Sequence, residues 1–368
     1  MRIAFIAPST EILGGHTTIA RELMHGLRSE RDEVLFVPIN PGFPRGLRWI
    51  RRHRYARTIL NEACYLPTLL RLRRADVVHI FSASYWGFVL APIPAILVAR
   101  SFGKRVVLNY QSGEAQDHLA RWGPLVHPWL RMVDELVVPR EYLRGIFAQH
   151  GYRTRVIHNI VDTSRFRYRE RRILQPRLLS NRNLGPYYAV DNTLEAFARV
   201  RARYPDATLT VAGYGSEEGR LRALAASLGV PGIRFVGRVE PEAMPRLHDE
   251  ADIYLNSSVV DNQPVSVLEA FASGLPVVST GTGDLAAIVR GGETGLSVPS
   301  RDPGAMADAI MTLLGNPERA TAMARRARHE VDQYTWSHVR HEWAAVHFGT
   351  EGARDALGQG RPADWRST

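Results

Sequence analysis

The sequence predicts an α/β protein made of two doubly wound domains, each built on a parallel sheet. Short apolar runs typical of buried strands alternate with amphipathic stretches typical of helices, and the series starts twice along the chain. The length of 368 residues also fits two domains. A polar, arginine-rich stretch, Thr163–Arg177, separates the two series and is interpreted as the linker. We therefore expect a first domain at residues 1–170 and a second at residues 171–335.

Each domain is predicted to contain six strands, because runs rich in Ile, Val, Leu and Phe recur six times in each half. The first six are Ile3–Ala7, Val34–Pro38, Val77–Phe81, Arg105–Asn109, Leu136–Val138 and Val156–His158. The second six are Arg177–Ser180, Thr208–Ala212, Ile233–Val236, Ile253–Asn256, Pro276–Ser279 and Leu296–Val298. The predicted helices include Thr17–Leu27, Tyr142–Gln149, Thr193–Arg203, Gly219–Leu228, Val265–Ala272 and Pro303–Leu314. From Gly349 onward we expect a loosely ordered tail.

Composition excludes several classes of protein. The single cysteine, Cys64, rules out an internal disulfide and a cysteine-rich zinc site, and no cluster of metal-ligating residues is visible. The N-terminus lacks the pattern of a signal peptide. The longest apolar stretch, Tyr85–Ala99, is shorter than the ~20 residues that span a bilayer. We therefore expect a cytoplasmic protein without a transmembrane helix.

Positive charge is concentrated in the first half of the chain. Residues 1–176 contain 27 Lys and Arg against 14 Asp and Glu, whereas residues 177–368 contain 20 against 23. The net charges of the two halves are therefore +13 and −3. This asymmetry indicates that the first half meets an anionic partner: a membrane surface, a nucleic acid or a phosphorylated substrate. The alternative is a general bias toward arginine, which supplies 46 of the 47 basic residues.

Residues 45–74 carry much of this charge. They include nine arginines and one acid, Glu62, with aromatic and aliphatic residues between them. A helix of this composition can lie on the inner face of an anionic membrane, with its arginines on lipid phosphates. The residues expected to contact the membrane are Arg48, Trp49, Arg51 and Arg52. The alternatives are a solvated helix packed on the sheet and nucleic-acid binding, for which no recognised motif is present.

Ligands of doubly wound domains bind at the carboxyl ends of the strands, so the loops that follow strands are the places to search. Gly14 and Gly15 follow the first strand and would let the backbone approach a ligand closely. A plain tight turn is the alternative. The pair is not the Gly-x-Gly-x-x-Gly fingerprint of dinucleotide-binding proteins.

The most informative block is residues 252–280. A strand ends near Ser257, a loop carries Asp261, and a helix that begins around Val265 carries Glu269. Two carboxylates beside a helix N-terminus can accept hydrogen bonds from sugar hydroxyls while the helix end binds phosphate. The alternative for Glu269 is a carboxylate that only complements the helix dipole.

This block resembles the donor-site signature of the retaining glycosyltransferases of family 4, which have the GT-B fold of two Rossmann-like domains facing a cleft. The signature is an acid, seven residues, a Glu, and then Ala-x-Ala-x-Gly-x-Pro-Val-Val. It is met by Asp261, Glu269, Ala270, Ala272, Gly274, Pro276, Val277 and Val278. Further segments that resemble family motifs, in order, are Val156–Phe166, Leu209–Gly215, Ile233–Arg238 and Gly292–Pro299.

The resemblance implies roles for individual residues. Glu269 would bind the nucleotide ribose, Asp261 the donor sugar hydroxyls and Arg182 the donor phosphate. The glycine pair would lie against the donor diphosphate or the acceptor. A last helix, near Trp336–Val346, would cross back onto the first domain. The other donor-binding residues implied are Asn183, Gly213, Asn262, Gln263, Pro264 and Val265, with the backbone of Gly237, Arg238 and Val239 framing the nucleobase.

The donor loop departs from the family pattern at two positions. Its first acid is Asp261 rather than Glu, and its Pro264 offers no N–H to a ligand. Moreover, the family's phosphate-binding lysine is replaced by Tyr187, and the only lysine of the chain is Lys104. Another arginine or a hydroxyl could partly take over the role of that lysine.

A further departure concerns the first domain, where Gln111 replaces the family's active-site histidine. Glutamine can form hydrogen bonds but cannot act as a general base. His118 could serve instead; the alternative is a structural histidine. The candidate catalytic residues are thus Gln111 and His118, together with Asp261 and Glu269.

The predicted function is that of a retaining, metal-independent hexosyltransferase. It would move a sugar from a nucleotide-sugar donor to a sugar, lipid-linked or small-molecule acceptor, in the synthesis of a polysaccharide or glycolipid. No cofactor is expected besides this co-substrate, and no nucleic-acid partner. A nucleotide-sugar epimerase and a sugar-nucleotide-binding protein that has lost catalysis stay open as alternatives. A pyridoxal-phosphate enzyme of the glycogen phosphorylase type is excluded, because residues 177–368 contain no lysine.

Overall fold

Two sheets of six parallel strands, flanked by helices, form the protein. The structure is a computed structural model, and it describes residues 1–9, 15–30, 32–43, 46, 49 and 53–356, with the backbone alone at residues 54 and 350–356.

The first sheet is formed by the first six strands of the chain. They are β1 (Arg2–Ala7), β2 (Glu33–Pro38), β3 (Val77–Ser82), β4 (Arg105–Tyr110), β5 (Glu135–Val138) and β6 (Arg155–Val156). Their order in the sheet is β2-β1-β3-β4-β5-β6, and every pair is parallel. The direction of winding therefore reverses beside β1.

The second sheet repeats this design with the remaining strands. They are β7 (Arg177–Asn181), β8 (Thr208–Ala212), β9 (Ile233–Gly237), β10 (Ile253–Asn256), β11 (Val277–Thr280) and β12 (Leu296–Val298). Their order is β12-β11-β10-β7-β8-β9, again all parallel. Winding reverses between β7 and β10, which opens the crevice where such sheets bind ligands.

Helices connect the strands, as parallel pairing requires. In the first domain they are α1 (Gly15–Ser29), α2 (Arg54–Thr68), α3 (Trp86–Leu90), α4 (Pro92–Ser101), α5 (Ala115–Leu130) and α6 (Glu141–Gln149). In the second they are α7 (Val190–Arg203), α8 (Glu218–Leu228), α9 (Met244–Glu250), α10 (Val265–Ala272), α11 (Leu285–Ile288), α12 (Pro303–Gly315) and α13 (Pro317–Glu330). The last helix, α14 (Trp336–Ala356), has a non-helical residue at Gly349.

Helix α10, which carries the signature Glu269, has a sharply defined end. Gly274 has a positive φ of 71°. Its N–H donates to Phe271 O at 3.0 Å, while the N–H of Leu275 donates to Ala270 O at 2.9 Å. These two bonds form a Schellman motif, which requires a left-handed residue after the helix. A side chain at Gly274 would also collide with the Tyr168 ring.

The arginine-rich stretch between the domains is held by one buried carboxylate, that of Asp252. Arg169 and Arg177 each reach it at 2.8 Å. The buried guanidinium of Arg171 lies 3.5 Å away and also donates to the carbonyls of Ala251 and Ser273, at 2.9 and 2.7 Å. Arg169, Arg171 and Arg177 therefore anchor this stretch to the second domain.

Helix α14 returns to the first domain. The ring of Trp336 lies so close to Gly26 of α1 that a Cβ there would come within 2.3 Å of it. Further along, Nε2 of His347 lies 2.9 Å from Nδ1 of His79 in β3. Just before α14, the carbonyl of Tyr334 accepts a hydrogen bond of 2.9 Å from the N–H of Val161. The chain thus passes between the domains twice, and the two passages touch.

The predicted fold class, two doubly wound parallel-sheet domains, is confirmed. All twelve predicted strands are present, with bounds that differ by two residues or fewer. Several helices were not predicted, among them α3, α4, α5, α9 and α13. The domain limits at 170/171 and 335/336 stay predictions, and residues 357–368 of the expected loose tail lie outside the described residues. Within the described part of the chain, no helix has both the length and the apolar character to cross a membrane.

Candidate active site

The two sheets share a cleft of about 560 Å³ between the domains. Its walls are the loops at the carboxyl ends of strands from both sheets: Pro8 after β1, Gln111 after β4, Arg182 after β7 and Gly213 after β8. The loop from β10 to α10 forms a further wall. The cleft is therefore the place where both doubly wound sheets would bind ligands.

Asp261 and Arg182 meet in this cleft. An Nη2 hydrogen of Arg182 is donated to Oδ2 of Asp261, and Nη1 donates to Oγ of Ser266 at 2.8 Å. The guanidinium also lies 4.6 Å from the ring centre of Tyr188. Burial lowers the pKa of Arg182. The negative charge of Asp261, together with other nearby groups, raises it by more than burial lowers it, so the pKa is raised overall. The signature acid and the arginine thus form one ion pair.

Glu269 stands on the second turn of α10, on the wall of the same cleft. Nδ2 of Asn181, the last residue of β7, donates to its Oε2 at 3.5 Å. Burial raises the pKa of Glu269 to about 7, while the positive charge of Arg165 opposes that rise. The carboxyl can therefore exist in both protonation states near neutral pH.

The N-terminus of α10 faces the cleft through Val265 and Ser266. The residue before the helix, Pro264, supplies no side-chain cap to its first N–H groups. Uncapped N–H groups at a helix N-terminus attract an anion such as phosphate. The guanidinium of Arg182 and this helix end together give the cleft an anion-binding corner.

Most of the predicted donor-binding residues line the cleft. Those that do are Gly15, Arg182, Asn183, Gly213, Val239, Asn262, Gln263, Pro264, Val265 and Glu269. Gly237 and Arg238 lie beside it: Gly237 O accepts from the N–H of Gly213 at 2.8 Å, and Arg238 pairs with Glu240 at 3.0 Å. Gly213 has a φ of 143°, and a Cβ there would come within 2.0 Å of Arg182 O. Glycine is therefore required at this position.

The loop after β1 contributes a residue that sequence reasoning missed. Gly14 lies outside the described residues, while Gly15 begins α1 and lines the cleft. Next to it, His16 also lines the cleft. Burial lowers the pKa of His16, against the opposing effects of a backbone hydrogen bond with Gln111 and of the charge of Asp261. Its position directly after the glycine pair was the signal that could have identified it.

The two catalytic candidates of the first domain have different surroundings. Gln111 lines the cleft, and its Nε2 donates to Oδ1 of Asn109 at 2.7 Å. His118 is fully buried in α5, with Nδ1 2.8 Å from the hydroxyl of Tyr110. Burial lowers the pKa of His118 to about 4. The structure does not bring His118 to the cleft, and it fits the alternative of a structural histidine.

Hydrogen bonds of Tyr187, Asn262 and Gln263 cross the cleft. The hydroxyl of Tyr187, the residue that the resemblance aligns with the family's lysine, donates to Glu114 at 2.9 Å. Nδ2 of Asn262 donates to Gln111 O at 3.3 Å. Oε1 of Gln263 accepts from the N–H of Asn159 at 2.9 Å, and its Nε2 donates to Asn159 O. The amide of Gln263 is thereby occupied in joining the domains.

Arg165 is a second cleft residue that sequence reasoning missed. It belongs to the connection between the domains, and its Nη1 lies 3.4 Å from Oε1 of Glu22 in α1. Its Nη2 donates to Pro241 O in the second domain. Because it also lies near Glu269, one guanidinium links both domains and a signature carboxyl. Sequence reasoning assigned Arg165 to a polar linker and gave it no role.

Of the residues expected to contact a membrane, Arg48, Arg51 and Arg52 are outside the described residues. Trp49 is described; it is 63% exposed and is not one of the residues that line the cleft. As for metals, no group of three or more His, Cys, Asp or Glu side chains suited to hold an ion occurs among the residues that the structure describes.

Comparison with known proteins agrees with this architecture. Residues 13–165 match the family described as Glycosyltransferase Family 4, and residues 169–330 match Glycosyl transferases group 1. A glycogen synthase of Mycobacterium tuberculosis is 30% identical over 76% of this chain and 70% of that protein. A GDP-mannose-dependent α-(1-6)-phosphatidylinositol monomannoside mannosyltransferase of Mycolicibacterium smegmatis is 28% identical over 79% of this chain and 82% of its own.

Solved structures share the fold at low sequence identity. The structure of Anabaena Alr3699/HepE in complex with UDP-glucose superimposes with a TM-score of 0.73 and 16% identity, over 98% of this chain and all of that one. Sucrose-phosphate synthase from Thermosynechococcus elongatus superimposes with a TM-score of 0.69 over 94% of this chain and 98% of its own. With two parallel-sheet domains, an interdomain cleft and a family 4 signature in it, the chain belongs to the family 4-like glycosyltransferases of the GT-B fold.

Proposed function

We propose that the protein transfers a hexosyl group from a nucleotide-sugar to an acceptor hydroxyl, with retention of configuration and without a metal ion. The observation that carries this proposal is the joint placement of Arg182, Asp261 and Glu269 around the N-terminus of α10, in a cleft between two sheets. This arrangement combines an anion-binding corner with carboxylates that can accept hydrogen bonds from hydroxyls.

The donor would lie with its diphosphate at Arg182 and the first turn of α10. Its ribose would meet Glu269, and its sugar would meet Asp261. Asp261 pairs with Arg182 in the structure, so donor binding would require this ion pair to rearrange until the guanidinium contacts phosphate. Arginine suits this exchange, because it keeps its charge and can bind two oxygens at once.

Retention would follow from attack on the same face of the anomeric carbon from which the diphosphate leaves. The sugar–phosphate bond breaks, the diphosphate departs with the electron pair, and the acceptor oxygen bonds to the anomeric carbon. Because Gln111 cannot accept the proton of the acceptor hydroxyl, a phosphate oxygen of the leaving group takes it. Arg182 and the helix N-terminus stabilise the growing negative charge in place of a metal ion.

The acceptor side of the cleft is formed by the first domain, through Gly15, His16 and the loop from Gln111 to Glu114. The basic character of this half of the chain favours an acceptor that carries phosphate or lies at a membrane. The name of the mycobacterial mannosyltransferase, which includes phosphatidylinositol, supports a lipid-linked acceptor.

A second candidate function is nucleotide-sugar binding without transfer. It is favoured by Tyr187, which contacts Glu114 instead of offering a positive charge, and by the Arg182–Asp261 pair. An epimerase of the same architecture would convert the donor without any acceptor. Both alternatives are distinguished from transfer by product analysis.

The first experiment is a thermal-shift screen with UDP-glucose, GDP-mannose and ADP-glucose. The true donor raises the melting temperature in proportion to ligand excess. Radiolabelled donor then reports transfer, hydrolysis or epimerisation over a panel of sugar and lipid-linked acceptors. Binding without any of these products would favour the binding-only alternative.

Glu269→Gln tests the site itself. We expect it to lower kcat/KM by about 100-fold or more, because an amide cannot replace both acceptor oxygens of the carboxylate. Glu293→Gln is the matched control, since Glu293 pairs with Arg290 on the surface at 2.7 Å. Wild-type activity of Glu269→Gln, with a normal melting temperature, would contradict the assignment.

A further inference from the structure

Helix α2 has two apolar faces, and the part of the chain that the structure describes covers only one of them. Tyr65 of α2 and Leu69 of the 3₁₀ turn that follows face inward and are fully buried, and the hydroxyl of Tyr65 donates to Ala91 O at 3.1 Å. The helix is thus already anchored on the first domain by one side. Its second apolar face has no part in that packing.

The second face is a stripe of exposed side chains. It consists of Tyr55, Ile59 and Leu66 of α2 and Leu70 of the 3₁₀ turn that continues the helix; their exposed fractions are 80, 72, 46 and 63%. Spacings of four, seven and four residues place these side chains along one side of a helix. Single exposed apolar residues are ordinary, but a continuous stripe indicates an interaction surface.

Positive charge adjoins this stripe. Arg57, Arg71, Arg73 and Arg74 are exposed, and the only acid from residue 53 to residue 74 is Glu62. Glu62 is half-buried, and its Oε1 accepts from Nδ2 of Asn61. The segment therefore combines apolar side chains that are stabilised by removal from water with arginines that are attracted to anions.

We propose that this stripe and its arginines, named here the α2 docking face, bind the surface of an anionic lipid bilayer. Ile59, Leu66 and Leu70 would enter the boundary between headgroups and acyl chains, and the arginines would contact lipid phosphates. Aliphatic side chains at the centre of the face give a nucleic acid nothing to stack on or hydrogen-bond, so the bilayer is the better match.

The position of the helix relates this face to the cleft. Helix α2 follows β2, and Nδ2 of Asn61 donates to the carbonyl of Ile39, the residue directly after that strand. The helix thus lies beside the carboxyl edge of the sheet, and the same edge supplies the walls of the cleft. Docking would bring the cleft near the membrane, where a lipid-linked acceptor would be found. The docking face itself does not depend on the proposed transfer.

The experiment is sedimentation of the full chain with vesicles at 100 mM salt. Vesicles of phosphatidylcholine alone are compared with vesicles containing 30% phosphatidylglycerol. We expect binding at least about tenfold stronger to the anionic vesicles, from the attraction of several arginines. Equal binding to both kinds of vesicle would overturn the proposal, and so would displacement from the anionic vesicles by a short RNA that binds the same face more tightly.

Two double variants separate the parts of the docking face. Arg71→Gln with Arg73→Gln removes charge, and Ile59→Ser with Leu70→Ser removes apolar contact. Each should weaken binding to anionic vesicles about tenfold or more. Arg153→Gln and Leu125→Ser, at exposed positions elsewhere in the first domain, are the matched controls and should bind like the wild type.

Unchanged binding by the serine variant would contradict insertion of the stripe, and an equal loss in the controls would contradict the location of the face. Thermal stability and the shift produced by the donor are measured for every variant. A variant that binds donor normally but not vesicles supports the docking face, and loss of donor binding alone concerns the proposed function instead.

Discussion

Two requirements on the Glu269 carboxyl group oppose each other. In the proposed role it would have to be ionised to accept two hydrogen bonds from the ribose of the donor, yet burial raises its pKa to about 7. An unfolded glutamate has a pKa near 4.5, so at neutral pH the ionised side chain is less stable in the folded protein than in the unfolded chain. The ionisation of Glu269 therefore lowers the stability of the fold, as residues of functional sites often do.

The free energy of unfolding, measured without donor, should contain this unfavourable contribution. Above pH 7 the unfavourable ionisation of Glu269 is fully present, and below about pH 4.5 it is absent, because the carboxyl is protonated in both states. Glu269→Gln should therefore raise the free energy of unfolding by about 3 kcal/mol at pH 8. Near pH 4.5 it should change little. Urea unfolding at the two pH values measures the difference, and a gain of the same size at both would disprove the explanation.

At the scale of single residues, sequence reasoning found the parts of the site that carry a motif. Asp261, Glu269 and Arg182 were predicted and lie in one cleft. His16 and Arg165 were not found, because each reaches the cleft through the packing of distant segments rather than through a local pattern. They can be recognised only from the three-dimensional structure. Arg165, for example, contacts Glu22 and Pro241 only when both domains are folded.

At the scale of elements, a chain of hydrogen bonds joins the cleft to the last helix. Gln111 donates to Oδ1 of Asn109 at 2.7 Å, and Nδ2 of Asn109 lies 3.3 Å from Nε2 of His79. If that amide donates, His79 carries its proton on Nδ1 and donates to Nε2 of His347, 2.9 Å away. Strands β4 and β3 and helix α14 are thereby joined through the core, and Gln111 is held in one orientation.

This chain predicts sensitivity to acid. Burial lowers the pKa of His79 well below its usual value, and that of His347 to about 3. An unfolded histidine takes up a proton near pH 6.5, so stability falls as the pH drops below 6.5, by up to about 1.4 kcal/mol per unit for each histidine. His347→Gln should reduce this slope between pH 6.5 and 5.

The measurement is the midpoint of urea unfolding across that pH range. His338→Gln serves as the control, since His338 lies in the first turn of the same helix and has no place in the hydrogen-bonded chain. An unchanged slope in His347→Gln would show that other buried histidines, such as His118 and His248, account for the acid sensitivity.

All of the strands and part of the helices could be predicted from the sequence. All the strands were predicted because buried parallel strands are nearly continuous apolar runs, as in β3, which is buried at every residue. Helix α5 was missed because Pro124 and Pro128 interrupt its pattern. Helix α4 was missed because its apolar residues cover most of its surface and give no amphipathic period.

At the scale of the whole molecule, Asp252 determines how the connection between the domains is held. Asp252→Asn should lower the free energy of unfolding by about 3 kcal/mol or more, because the buried guanidinium of Arg171 would lose its counter-charge. Asp249→Asn is the matched control: Asp249 pairs with the exposed Arg167 at 3.3 Å and should cost less than about 1 kcal/mol. Similar urea midpoints for the two variants would contradict this role.

The contact between the two passages of the chain has a mechanical consequence. The N–H of Ile157 still bonds to Val138 of the first sheet, whereas from Arg169 onward the backbone is tied to the second domain. The second passage lies at Tyr334, and Val161 is hydrogen-bonded to it. Rotation about the line through these two touching segments of backbone would stretch neither of them. We therefore expect any opening of the cleft to be a rotation about this line, and not a separation of the two domains.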